Sequence, residues 1–139
     1  MTPIQPKPVL FLDDERSYVD LMGQLLMEHL NCEVLLYTHP QDALDALPRV
    51  GAGIIVTDYY MPIMNGIEFI RRAREACPSI PAIMITGHQI ALADEDLDHV
   101  PGLCTTIFKP VTWRVLAENI IRYWPDDNPP SFKAEGPRV

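Results

Sequence analysis

The chain has 139 residues, of which 47% are hydrophobic and 22% charged, and its formal net charge is −8. This length fits one domain of ordinary size, and the apolar fraction is sufficient for a core, which excludes wholesale disorder. An acidic chain repels nucleic acid and anionic lipid at long range, so we expect no direct nucleic-acid partner and no membrane partner. The acidity is equally consistent with a simple role in solubility. Three widely separated cysteines show no zinc-ligand spacing and favour free thiols in a reducing compartment.

The two ends of the chain differ in composition from its middle. Half of the 14 prolines lie within residues 1–8 or 125–139, and the last segment is polar and poor in aliphatic residues. We predict a disordered N-terminal segment at residues 1–7, a folded domain at 8–124 and an exposed, Pro-rich polar tail at 125–139 that is largely unstructured. The apolar run near the N-terminus has four residues, too few for a signal peptide or a membrane span, and this favours the cytoplasm.

Between these ends, short apolar runs alternate with segments of helical periodicity. In chain order, the runs predicted as strands are 9–12, 34–37, 54–57, 82–85 and 105–108. The predicted helices cover about 15–31, a short stretch from Pro40, a stretch from Asn65-Gly66, an acidic stretch at about 88–100, and 112–124. Leu21 belongs to the apolar pattern of the first helix, and Val115, Leu116, Ile120 and Tyr123 are expected to face inward from the last.

The predicted strands are apolar throughout and do not alternate with polar residues. This pattern is typical of parallel strands that helices cover on both faces. Five βα units in about 120 residues predict an open, doubly wound sheet of the α/β class. Such sheets bind ligands beyond the carboxyl ends of their strands, at the point where the strand order reverses.

The residues that follow the predicted strands form a polar set. Asp13 and Asp14 follow the first strand, Asp58 the third, Thr86 the fourth and Lys109 the fifth. Because parallel strands end at the same edge of a sheet, three carboxylates, a hydroxyl and an ammonium are expected to gather there.

This set suits one kind of chemistry. Clustered aspartates repel one another, and a divalent cation removes the conflict. Oxygen ligands without Cys or His favour Mg²⁺, which is commonly held by one or two carboxylates together with a phosphate. One carboxylate then remains free to attack a phosphoryl donor, while Lys109 neutralises phosphoryl oxygens and Thr86 donates a hydrogen bond. The competing interpretation treats Asp13-Asp14 only as a strand end and helix N-cap.

At this point the sequence resembles the receiver domain of two-component response regulators, over about residues 8–124. Four elements match. The acid pair is Asp13-Asp14, and the phosphoacceptor loop with its Met-Pro and Asn-Gly is DYYMPIMNG, from Asp58 to Gly66. The Thr-Gly pair is Thr86-Gly87, and the Lys-Pro pair is Lys109-Pro110. Each element alone is weak evidence. All four in order, each at the end of its own strand, are highly specific.

The resemblance implies a single-domain (βα)₅ fold with the flavodoxin-like strand order 2-1-3-4-5. It implies that Asp58 is phosphorylated from a phosphohistidine of a histidine kinase or phosphotransfer protein. Mg²⁺, with Mn²⁺ as the alternative ion, would be held by Asp13, Asp14, Asp58 and the backbone carbonyl of Tyr60. The domain would catalyse its own phosphorylation and dephosphorylation without being an enzyme for another substrate.

The resemblance also implies a conformational switch. Lys109 would pair with the phosphoryl group, with a cis bond to Pro110, and Thr86 would move toward that group. The readout face for a downstream protein would combine the fourth helix, fifth strand and last helix, and a phosphorylation-dependent dimer is a further option. Thr106 departs from the family, which commonly has Tyr or Phe there, so we expect the coupling to depend on Thr86 alone or on a different residue. The acidity of the fourth helix indicates either a basic partner or a solvated face.

Two residues would flank the phosphoryl group and tune its lifetime. They are Tyr60, two residues after Asp58, and His88, two residues after Thr86. We hypothesise that Tyr60 shields the acyl phosphate from water and slows its hydrolysis.

Other functions remain open at the level of the sequence. The domain could signal by binding a target or pass its phosphoryl group to another histidine. It could be a phosphorylation-independent scaffold, as the Thr106 departure suggests. A Mg²⁺-dependent phosphohydrolase with Asp58 as nucleophile is disfavoured, because such enzymes usually carry a second acid where this chain has Tyr60.

Overall fold

Strands alternate with helices along most of the described chain. The structure, a computed structural model, describes residues 4–87 and 96–134. Its strands are β1 (Val9–Leu12), β2 (Val34–Tyr37), β3 (Ile54–Asp58), β4 (Ala82–Thr86) and β5 (Leu103–Phe108). Its α-helices are α1 (Arg16–His29), α2 (Pro40–Val50), α3 (Gly66–Ala76) and α4 (Trp113–Arg122), and a 3₁₀ turn, Leu97–His99, precedes β5.

The strands form one parallel sheet in the order β2-β1-β3-β4-β5. This confirms the doubly wound α/β fold and the expected strand order. Every residue of β1, β3 and β4 is buried, because α2 and α3 cover one face of the sheet and α1 and α4 cover the other. Both faces therefore carry a hydrophobic core, which explains why these strands lack polar alternation.

Helix starts are encoded locally. Pro40 is the first residue of α2, where its fixed φ suits the helix and its missing N–H is not needed. Asn65 caps α3, since its side-chain oxygen accepts a hydrogen bond from the Glu68 N–H at 2.9 Å. Thr112 caps α4 in the same way, accepting from the Val115 N–H at 3.2 Å. These local signals set where α2, α3 and α4 begin after the strands that precede them.

Two aliphatic residues, Leu21 and Val115, face solvent, although the helical periodicity placed them with the buried residues. Leu21 is 62% exposed and Val115 is 43% exposed, so the expectation that Val115 faces inward is wrong. Leu116 and Ile120 are fully buried, whereas Tyr123 is half-buried. The buried stripe of α4 runs through Leu116, Ala117 and Ile120, and Val115 lies one residue outside it. An apolar residue beside a stripe looks the same in sequence as one within it.

The acidic helix predicted at about 88–100 falls mostly outside the described residues, which resume at Asp96. Within the remainder, Leu97–His99 forms a single 3₁₀ turn rather than α-helix. None of the helices within 4–87 and 96–134 has the length and apolar character needed to cross a bilayer.

The first residues of the Pro-rich tail contact the folded domain. Phe132 forms an antiparallel bridge with Leu30 at the end of α1, and the Lys133 N–H donates to the His29 carbonyl at 2.8 Å. The Phe132 ring meets Trp113 edge-on, with 6.3 Å between ring centroids. An aromatic ring, backbone bonds and side-chain bonds hold residues 125–134, and composition alone does not reveal these partners.

The residues before β1 contact this tail. The carbonyl of Ile4 accepts a hydrogen bond from the Asn128 side-chain amide at 3.1 Å, and Lys7 lies 3.6 Å from the Asp126 carboxylate. Pro6 is buried. Residues 4–7 thus contact residues 126–128. Composition, on which the predicted disorder of residues 1–7 was based, does not reveal these contacts.

We expect Phe132→Ala to lower the free energy of unfolding by about 1 kcal/mol, because the aromatic contact with Trp113 is lost. Thermal unfolding monitored by circular dichroism measures this as a midpoint lower by roughly 2–4 °C. Ile4→Ala is the matched control, since Ile4 is 84% exposed and surface truncations usually change stability by less than about 0.5 kcal/mol. Equal midpoints for the two variants would show that the Phe132 ring adds nothing to stability.

Candidate functional site

Three carboxylates from two neighbouring strands meet at one edge of the sheet. The register pairs Leu12 of β1 with Thr57 of β3, so Asp13 and Asp58 come next at the same level. Carboxylate oxygens of Asp13, Asp14 and Asp58 lie within 4.8 Å of one another. Asp13 is fully buried, Asp58 is 4% exposed, and Asp14 faces solvent.

Lys109 brings a positive charge to this cluster from the far edge of the sheet. Its backbone N–H donates to the Thr86 carbonyl at 2.9 Å, which extends the pairing of β4 with β5. The bond between Lys109 and Pro110 is cis. The side-chain Nζ lies 2.9 Å from Asp13 Oδ2 and 3.9 Å from Asp58 Oδ2. The ammonium therefore stands between the two buried carboxylates.

In each buried carboxylate, one oxygen accepts a hydrogen bond from the backbone and the other faces Lys109. Asp58 Oδ1 accepts from the Tyr59 N–H at 2.8 Å, and Asp13 Oδ1 accepts from the Glu15 N–H at 2.9 Å. The Oδ2 atoms face Lys109. The backbone bonds fix the orientation of both carboxylates, so one oxygen of each points into the site.

The charges in this cluster are not balanced. The pKa of Asp58 is raised to about 6, chiefly by burial and also by the negative charges of Asp13 and Asp14, while the Lys109 ammonium and the Tyr59 N–H oppose this rise. Within the described residues, the cluster contains three carboxylates and no His or Cys. Hard oxygen ligands with excess negative charge fit Mg²⁺ better than zinc or copper.

The loop after β3 is shaped around Asp58. The Gly66 N–H donates to the Tyr59 carbonyl at 2.8 Å, and a Cβ on residue 66 would clash with the Asp58 carbonyl oxygen. Glycine is needed because two backbone segments touch. Ile63, at the tip of this loop, has a φ of 76° and is wholly exposed, a strained conformation for a β-branched residue.

The structure describes three of the four remaining residues that the sequence analysis named. Thr86 is the last residue of β4 and its side chain is fully buried. Tyr60 is 61% exposed and lines one surface hollow together with Asp14. Thr106 lies half-buried in β5, in register with Met84. His88, the second residue expected to tune the lifetime of the phosphoryl group, lies outside the described residues.

The sequence analysis missed one residue of this site, Tyr18. The Lys109 Nζ lies 4.1 Å from the centroid of the Tyr18 ring. Burial, and then the negative charges of Asp13 and Asp58, raise the pKa of the Tyr18 hydroxyl to about 12, so the phenol stays neutral. No motif marks this position. The only available signal was an aromatic residue in the first turn of the helix that follows the acid pair.

The fold and the site together define a doubly wound α/β domain with an acidic pocket and one lysine at the carboxyl ends of its strands. The sequence model of the response regulator receiver domain matches residues 9–121. The chain therefore belongs to the response regulator receiver domain family, whose members are signalling phosphoacceptors of two-component systems and typically depend on Mg²⁺.

Individual relatives agree with this assignment. A response regulator receiver protein of Anaeromyxobacter sp. is 30% identical over 104 residues, which cover 73% of this chain and 42% of that protein. The structure resembles a CheY-like receiver domain protein of Methanospirillum hungatei, with a TM-score of 0.71, 28% identity, and coverage of 82% and 90% of the two chains. A receiver domain protein of Clostridium thermocellum gives a TM-score of 0.74 at 25% identity, with coverage of 85% and 94%.

The curated relatives are longer than this chain. The matched regions make up between 13% and 42% of the length of the first curated relatives. The activities of those whole proteins therefore do not transfer to this chain.

We expect Asp58→Asn to stabilise the metal-free protein by roughly 1–3 kcal/mol at pH 7, because it removes a buried carboxylate whose ionisation is disfavoured. A raised pKa makes the ionised form costly in the folded state. The cost is complete above about pH 6 and disappears below roughly pH 4, where the carboxyl is protonated in both states. The advantage of the variant should shrink as the pH falls through this window.

Urea unfolding in the presence of a chelator, at several pH values between 4 and 7.5, measures this difference. Asp45→Asn is the control, since Asp45 is an exposed residue of α2 and should give no such trend. A gap between Asp58→Asn and the parent that does not depend on pH would contradict the electrostatic explanation.

Proposed function

We propose that this domain accepts a phosphoryl group on Asp58 from the phosphohistidine of a histidine kinase or phosphotransfer protein. The observation that carries the proposal is the meeting of three carboxylates with the Lys109 ammonium at the strand ends. Receiver domains interact with such kinases and with downstream effectors, and the particular partners of this chain are part of the proposal.

The orientation of Asp58 suggests which oxygen reacts. Oδ1 is held by the Tyr59 N–H, so Oδ2 is the oxygen that attacks phosphorus. A new P–O bond forms as the P–N bond of phosphohistidine breaks, and the departing imidazole keeps the electron pair and takes up a proton. Lys109 lies 3.9 Å from the same Oδ2 and would balance the negative charge that arrives with the phosphoryl group.

The acid cluster would hold the ion that this reaction requires. Asp13, Asp14, Asp58 and the backbone carbonyl of Tyr60 are the proposed ligands of Mg²⁺, with Mn²⁺ as the alternative. The bound ion would supply neutralisation of the phosphoryl oxygens. Without it, three carboxylates would share the site with one ammonium, and an incoming dianion would be repelled.

Phosphorylation would then shift the domain between two conformations. Thr86 is buried at the end of β4, and its carbonyl is bonded to the Lys109 backbone. A hydrogen bond from its hydroxyl to the phosphoryl group would therefore move the ends of β4 and β5 together. Because Thr106 replaces the family's usual aromatic residue, the signal would not use that ring. The proposed readout face for a target protein, or for a second copy in a dimer, includes β5 and α4.

Incubation with acetyl phosphate and Mg²⁺ should add one phosphoryl group to Asp58. Phosphate-affinity electrophoresis should show a shifted band that disappears with a chelator and in Asp58→Asn. Asp45→Asn, an exposed acid on α2, should still shift. A band that persists in Asp58→Asn would assign the acceptor to another residue, and no shift in the parent would favour a phosphorylation-independent scaffold.

We expect Tyr60→Gly to shorten the lifetime of the phosphorylated protein several-fold. Tyr60 borders the hollow beside Asp14, so its removal would open the acyl phosphate to water. The decay rate after removal of the donor measures this effect, and Tyr60→Phe, which keeps the ring, should decay like the parent. Equal rates for Tyr60→Gly and the parent would remove the shielding hypothesis.

A further inference from the structure

The Lys109 ammonium touches an aromatic ring as well as the two acids. Its Nζ lies 4.1 Å from the Tyr18 ring centroid, well within the range of about 6 Å over which a ring face attracts a cation. The Lys109 side chain is only 19% exposed. Since little water reaches the amine, the ring replaces part of its hydration.

The Lys109 amine needs a group that holds it in place, because the Lys109 backbone lies far from Asp13 across the sheet. It follows β5, whereas Asp13 follows β1, and β4 and β3 lie between them. With strands about 4.8 Å apart, the ends of β5 and β1 are separated by roughly 14 Å. The Lys109 side chain covers only part of this distance and meets the Asp13 carboxylate, which extends from the other side. Its amine stands at the end of four flexible bonds as a point charge, and nothing in its own chemistry fixes it between two acids.

The ring itself is fixed in place. Tyr18 lies in the first turn of α1, and its ring packs edge-on against Phe11, with 6.4 Å between centroids and an interplanar angle of 81°. Phe11 is a fully buried residue of β1, two positions before Asp13. One stretch of chain, residues 11–18, therefore supplies both the acid that pairs with Lys109 and the ring that borders it.

We propose that Tyr18 is a positioning residue for phosphoryl transfer: its ring face holds the Lys109 ammonium between Asp13 and Asp58. The inference rests on the proposed function. The ring is the acting group, because the Tyr18 hydroxyl is buried and has no hydrogen-bond partner within the described part of the chain. A ring without the hydroxyl should therefore hold the Lys109 ammonium equally well, whereas an aliphatic side chain of similar size should not.

The test compares Tyr18→Phe with Tyr18→Leu. Initial rates of Asp58 phosphorylation are measured against acetyl phosphate concentration at saturating Mg²⁺. We expect Tyr18→Phe to match the parent and Tyr18→Leu to be slower by on the order of tenfold at low donor concentration. Tyr123→Leu is the matched control and should match the parent, because Tyr123 also borders a cation, Arg122, at 5.6 Å but lies outside the site.

A second measurement does not require phosphorylation. The chain has only three lysines, Lys7, Lys109 and Lys133, so NMR of protein labelled with ¹³C-lysine resolves the ε-methylene of each. The ring should displace the Lys109 signal in the parent and in Tyr18→Phe. In Tyr18→Leu that signal should move to the ordinary lysine position while Lys7 and Lys133 stay unchanged.

The two measurements separate the possible failures. An unmoved Lys109 signal in Tyr18→Leu, or equal phosphorylation rates in all variants, overturns the inference. Equal loss in Tyr18→Phe and Tyr18→Leu assigns the role to the hydroxyl and also overturns it. If the signal moves as expected but the parent takes up no phosphoryl group, the proposed function of Asp58 fails while the contact between ring and ammonium stands.

Discussion

The ion pair between Lys109 and Asp13, with Asp58 beside it, is the interaction on which the rest of the site depends. Two almost fully buried carboxylates at one strand edge would be strongly destabilising alone, because desolvation and mutual repulsion both oppose ionisation. One ammonium compensates for part of this cost. The remaining negative charge is what makes the pocket suited to a divalent cation and a phosphoryl group.

The strand order makes this ion pair possible. Because β1 and β3 are neighbours, Asp13 and Asp58 leave the sheet side by side, whereas Lys109 arrives from the edge strand β5. The loop after β3 stays close to its own strand because residue 66 is glycine. Helices pack on both faces, so the strand ends cannot shift without disturbing two cores.

Two positions, Tyr18 and Thr106, concern the aromatic residues of this site. Thr106 removes the aromatic residue expected beside the switch, on β5. Tyr18 places an aromatic ring against the lysine that pairs with the acids. The ring belongs to α1, and so the proposed contact ties the first helix directly to the reacting groups.

The class of fold and most of the site could be predicted from the sequence. Uninterrupted apolar runs indicate strands covered on both sides, and the residues after them, such as Asp58 and Lys109, mark the binding edge because parallel strands all end there. Tertiary structure alone decided that Tyr18 borders Lys109, that Leu21 faces solvent and that Phe132 rests against α1. Periodicity reports the face of one element, whereas these contacts depend on which distant element packs against it.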